Sequence, residues 1–172
     1  MKHSTALPIA WVVLRILIVL NWIYGACVFA LLAYTFIDEE WTMRALGVSG
    51  VSDAQQVIWG MRAIAVLGLV AIALNFPILK RLLAMVRTVR AGDPFVAANA
   101  YRLNAIAWLM LAMQLLSMMI GGIGKALSTA EHPIHLDAGF SVNGWLAVIL
   151  TFVLARVFAE GTSMREDLEG TI

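Results

Sequence analysis

Two histidines and two carboxylates fall within seven residues, Glu131-His132-Pro133-Ile134-His135-Leu136-Asp137. Those side chains are the ones that hold zinc or copper. Pro133 prevents a regular helix there, so no same-face spacing supports a ligand set. His132 and His135 are therefore weak metal candidates, and a short polar loop is the plainer reading. Met110, Met113, Met118 and Met119 form a second group, and thioethers are soft ligands for copper. Methionine at this density is more simply packing filler. No serine, cysteine or aspartate lies in a recognisable catalytic motif, and there is no glycine-rich phosphate loop. The expectation is a protein that is not an enzyme, with no cofactor and no metal.

The remaining reactive types are set against an apolar background. Of 172 residues, 62% are hydrophobic and 13% charged, against about 25% charged in a soluble domain. Mean hydropathy is +0.87. A water-soluble core of this size could not hide so much apolar side chain. The chain reads as an integral membrane protein, and the composition argues against a disordered chain, a collagen, a disulfide scaffold or a direct nucleic-acid binder. The single cysteine, Cys27, allows no intrachain disulfide. Lipidation there is an alternative to an inert thiol, but the apolar run continues to Phe36, as a span does and a cleaved signal does not.

A span needs about 20 apolar residues. Four segments qualify, at about 7–36, 57–79, 103–123 and 140–158. The expected fold is all-α: one membrane domain over 1–172, an integral membrane four-helix bundle. Lys80, Arg81, Arg87, Arg90 and Arg102 crowd the middle connection, 80–102, whereas Arg44 stands alone among acids in the first and Lys125 alone in the third. The bias of basic residues to the inner side puts that connection and both termini in the cytoplasm of a bacterial inner membrane. Trp41, Trp59 and Trp145 would then mark the outer interface and Trp11 and Trp108 the inner one, with Trp22 mid-span and packed on another helix.

Local punctuation refines the elements. Ser52 and Gln55 form a capping box before the second span. Gly92 is expected to end a basic helical extension, after which Asp93 caps a new helix with Pro94 at its first position. Gly121, Gly122 and Gly124 are expected to terminate the third span. Gly161 is expected to break the fourth, with Ser163 and Glu166 capping a separate helix in a cytoplasmic tail, 159–172.

No Asp, Glu, Lys or His lies deep in a span, which disfavours a proton relay or a haem held by histidine. Arg15 and Arg62 lie within about two turns of a span end, where they are expected to snorkel to head groups. The alternative is pairing inside the bundle with Asn21, Asn75 or Gln114. Ala26 and Ala30 have the spacing of a helix-packing motif, a weak signal in an alanine-rich chain.

Gly92-Asp93-Pro94-Phe95-Val96 with Asn99, Arg102, Leu103, Trp108 and Gln114, together with Val157-Phe158-Ala159-Glu160-Gly161 and the stretch Met164 to Ile172, resembles the bacterial membrane family called domain of unknown function 2975. Met164 departs mildly, standing where leucine is common. The resemblance covers essentially the whole chain. It implies four spans and a gene neighbourhood with a Cro/C1-type helix-turn-helix regulator, hence a role in regulation, and it supplies no catalytic residues. The partners it suggests are the bilayer, such a regulator and a second copy of the chain. The candidate partner-binding residues are Asp93, Pro94, Phe95, Asn99, Arg102, Glu166 and Asp167, and the competing reading is that such charges only brace the bundle. Transport of a small molecule or peptide, or an immunity-type role, is the alternative function.

Overall fold

The computed structural model describes residues 6–48, 53–128 and 137–169, and all its regular elements are helices. α1 spans Ala6–Ile37, α2 Glu39–Ala45, α3 Ala54–Arg90, α4 Ala97–Leu127 and α5 Val142–Glu169. Four of them, α1, α3, α4 and α5, are long and apolar enough to cross a membrane. They correspond to the four expected segments and overrun each at one or both ends. In hydrocarbon a backbone must satisfy its own polar groups, which is why apolar runs of this length become unbroken helices.

Neighbouring long helices are antiparallel. Asn21 meets Asn75 and Thr35 meets Arg62 across α1 and α3. A Cβ on Gly60 would touch Leu127, and Thr88 meets Asn99, across α3 and α4. Met110 meets Thr151 and Trp108 meets Phe152 across α4 and α5. In each pair one number rises as the other falls. The start of α1, the α3–α4 corner and the end of α5 therefore share one end of the molecule, called here the corner end.

The packing is serial. α1 lies on α3, α3 on α4 and α4 on α5, and among the described residues no other pair of long helices is in contact. The bundle is thus open, and α4, flanked on both sides, holds half of the buried residues among those described: Asn99, Leu103, Ile106, Ala107, Gln114 and Leu116 among them. α5 turns Val148, Ala155 and Thr162 inward, one residue every two turns. α1 has no buried residue. From Trp11 onward its least exposed positions, Trp11, Leu14, Ile18, Asn21, Gly25, Val28, Leu32 and Thr35, alternate three and four apart. That is a narrow coiled-coil-like seam. Trp22 flanks it, edge-on to Phe76 at 5.3 Å, the interhelical contact expected of a mid-span tryptophan. Ala26 and Ala30 are exposed, so their spacing marks no helix seam.

α2 is an element the apolar pattern does not announce. Asp38 caps it, its carboxylate accepting from the Trp41 amide at 2.8 Å. Glu39 and Glu40 lie in its first turn and Arg44 in its last, the order that complements a helix dipole. Gly47 ends it at φ +69°. The Val48 amide donates to Met43 O and the Gly47 amide to Arg44 O, a Schellman ending.

Several local expectations need correction. Gly121, Gly122 and Gly124 do not end α4, which runs on to Leu127. Gly121 makes room: a Cβ there would strike the Ala138 carbonyl. Gly161 does not break α5, and Ser163 opens no separate helix, because α5 continues to Glu169. A helical glycine costs about 1 kcal/mol relative to alanine, and here its missing Cβ admits Phe95, whose Cδ1 would lie 3.1 Å from one. At the second span, Ser52 lies outside the described residues. Asp53 is the N-cap of α3 and makes no side-chain capping bond.

Candidate functional site

The candidate residues converge at the corner end. α3 stops as expected at Gly92, with φ +88°, a conformation glycine adopts without penalty. The Asp93 amide donates to Thr88 O and the Gly92 amide to Val89 O, both at 3.1 Å, closing the helix as a Schellman motif. Asp93 does not then cap α4, and Pro94 is not its first residue. α4 begins at Ala97 behind an extended Val96. The Asp93 carboxylate is engaged elsewhere, in an ion pair with Arg165 of α5.

Asn99 organises the corner from below. It is fully buried. Its amide nitrogen donates to Thr88 Oγ1 at 2.8 Å and to the Pro94 carbonyl at 2.9 Å. Its carbonyl oxygen accepts from Arg102 at 2.7 Å. One side chain thus ties the end of α3, the turn and the first turns of α4, and it orients a guanidinium. Buried amides are costly unless satisfied, which fixes this geometry.

Phe95 leans out of the corner onto α5. Its ring centroid is 5.2 Å from that of Phe158, and it fills the space beside Gly161. A small cavity of about 180 Å³ lies here, with Asp93, Phe95, Thr162, Arg165 and Glu166 in its walls. Glu166 and the adjacent Asp167 are exposed. All seven candidates therefore lie at the corner end, where Asp93, Pro94, Phe95, Asn99 and Arg102 hold the corner together. The opposite charges do meet, through Asp93–Arg165 and through Arg156–Glu160 at 2.8 Å within α5, in pairs that composition alone does not single out.

A second polar knot lies at the other end. Arg62 does not snorkel to a head group. It is 7% exposed and donates to the Thr35 carbonyl and, at 3.3 Å, to Thr35 Oγ1. Phe36 and Trp59 lie 4.1 and 5.0 Å from the guanidinium carbon, and Glu39 is 3.9 Å away. The short α2 brings that carboxylate within reach. Nor does Arg62 use the amides offered as its alternative partners. Asn75 donates to Asn21 at 3.0 Å. The Gln114 amide nitrogen is buried without a hydrogen bond. Arg15, in contrast, is exposed and reaches back one turn to lie 4.1 Å over Trp11, toward the corner end.

His132 and His135 lie outside the described residues. Among the described residues no group of three metal-ligating side chains converges. Met110 and Met113 are half-buried while Met118 and Met119 are exposed, so the methionines do not form one stripe.

The fold and these two knots define an all-helical protein with four membrane-span-like helices and a polar knot at each end of the molecule. The chain belongs to the family described as Protein of unknown function (DUF2975), whose model matches residues 10–172. No curated protein and no solved structure matches the chain.

Proposed function

We propose that the protein is a non-enzymatic interaction protein of the bacterial inner membrane, with its corner end in the cytoplasm docking a soluble helix-turn-helix regulator. One observation carries this reading: the corner and the end of α5 are clasped to each other by Asp93–Arg165 and Phe95–Phe158. The clasp holds two segments distant in sequence as one surface. Exposed Glu166 and Asp167 of α5, and exposed Arg87 and Arg90 of α3, lie at that same end. Rigid elements of mixed charge suit specific docking, because charge complementarity sets orientation and rejects wrong partners.

The test is co-purification of the helix-turn-helix regulator that this reading expects to be encoded beside the chain. The full chain should retain it, and a chain ending at Glu160 should not. Glu166→Arg should weaken retention while the protein stays monodisperse in detergent. Equal recovery with all three would exclude the α5 end as the docking element.

The transport or immunity-type alternative draws on the α1–α3 seam, where apolar cavities of about 450 and 280 Å³ lie beside Phe29 and Ile72 and beside Leu31 and Ile58. It requires apolar or weakly polar cargo. A deletion strain with altered sensitivity to membrane-active compounds and unchanged regulator targets would favour it.

A further inference from the structure

A fourth cavity, of about 320 Å³, opens between α3 and α4 and is lined by Phe76, Pro77, Lys80, Arg81, Ala84 and Arg102. Half of its lining residues are cations. None of the three has a carboxylate within ion-pair distance among the described residues. Asp93, the one acid of the 80–102 connection, is taken by Arg165.

The cations are also held in place. Arg102 is fixed by its bond to Asn99, itself anchored by Thr88 and Pro94. Arg81 donates to the Pro77 carbonyl at 3.3 Å. Lys80 lies 5.3 Å over the Phe76 ring. Each of these bonds engages only part of a side chain's hydrogen-bonding capacity, since arginine carries five N–H donors.

The level of the cavity identifies the ligand class. On α3 the apolar run ends at Leu79, directly before Lys80, and on α4 it begins at Leu103, directly after Arg102. Both helices therefore place their cations one residue outside the hydrocarbon-length segment, where head groups lie. Phe76, Pro77 and Ala84 add an apolar wall. Planar guanidinium and phosphate match in geometry, and lysine adds a point charge.

We propose that this cavity binds the phosphate of an anionic lipid head group, with Lys80, Arg81 and Arg102 as its cations. This is a pocket for one lipid, distinct from the diffuse attraction of a basic loop to a charged leaflet. It does not depend on the docking of a soluble partner.

The test is titration of a fluorescent phosphatidylglycerol into the full chain in neutral detergent, competed by unlabelled phosphatidylglycerol, phosphatidylcholine or glycerol 3-phosphate. Phosphatidylglycerol should compete and the other two should not. Lys80→Gln with Arg81→Gln should weaken binding about 25-fold, at about fivefold per cation. Arg87→Gln with Arg90→Gln removes the same charge on the same helix outside the cavity and should change it less than about threefold. Size-exclusion profile and helical circular dichroism confirm that both double variants are folded. Equal losses in the two double variants, or competition by phosphatidylcholine, would overturn the site. Competition by glycerol 3-phosphate as strong as by phosphatidylglycerol would overturn the lipid as its ligand.

Discussion

Asp93, on the corner between α3 and α4, forms an ion pair with Arg165, 72 residues later on α5. The pair closes the corner onto a helix that α3 does not otherwise touch. Its side chains are 42% and 46% exposed, so water and salt screen it. Surface pairs contribute about 0–1 kcal/mol. A double-mutant cycle with Asp93→Asn and Arg165→Gln, read by thermal unfolding in detergent, should give a coupling of about 0.5 kcal/mol. Raising salt should erase it. A coupling that survives molar salt would show a desolvated pair instead.

Asn99 should matter more. Asn99→Ala removes three hydrogen bonds at a fully buried position and leaves Arg102 and the Pro94 carbonyl without that partner. An unsatisfied buried polar group costs about 1–3 kcal/mol, so a loss of about 2–3 kcal/mol is expected. Asn104→Ala, on the exposed side of the same helix, should stay within about 0.5 kcal/mol. Similar unfolding temperatures for the two variants would show that Asn99 is not the hub of the corner.

Arg62→Lys should also destabilise, although charge is kept. The guanidinium faces two aromatic rings and donates to two oxygens of Thr35. An ammonium reproduces neither the stacking nor the fork. A loss of about 1–2 kcal/mol is expected from cation–π and charged hydrogen-bond contributions. Arg15→Lys, on an exposed residue resting on one ring, should change unfolding by less than about 0.5 kcal/mol. Equal, small effects would mean that Arg62 is solvated after all.

The four spans were legible because hydrocarbon thickness imposes a length on apolar runs. The seam within each span was not. In α1 the outward residues Val19, Ile23 and Phe29 are as apolar as the inward Ile18, Val28 and Leu32, so no periodicity separates lipid face from helix face. Gly92 was readable as a stop, since a local turn needs its positive φ. Gly121 and Gly161 look like terminators for a related reason. Their neighbours, Ala138 and Phe95, are 17 and 66 residues away in the chain, and a glycine chosen for a tertiary contact looks locally like a terminator. Asp93 failed similarly: the capping signal is local, and Arg165 outcompetes it from α5. The distance of Arg62 from a span end does not reveal its environment, which Thr35 and Phe36 of α1 and Trp59 of α3 make, with Glu39 brought within reach by α2. That helix was written in charge order, Asp38-Glu39-Glu40 through Arg44 to Gly47.

The orientation of the fold can be tested directly. The basic connection 80–102 carries five Lys and Arg residues, and the connection around α2 carries only Arg44 with Asp38, Glu39, Glu40 and Asp53 nearby. Moving several arginines outward is opposed during insertion, so the corner end should face the cytoplasm. Serial antiparallel packing puts α2 at the opposite end. In a Cys27→Ser background, Arg44→Cys and Ala91→Cys both place a thiol at exposed positions outside the expected spans. A membrane-impermeant maleimide should label the first in intact cells and the second only after the membrane is opened. The reverse pattern would turn the molecule over. It would place the Asp93–Arg165 clasp outside the cell, and with it remove both the cytoplasmic docking surface and the inner-leaflet setting of the Lys80–Arg102 cavity.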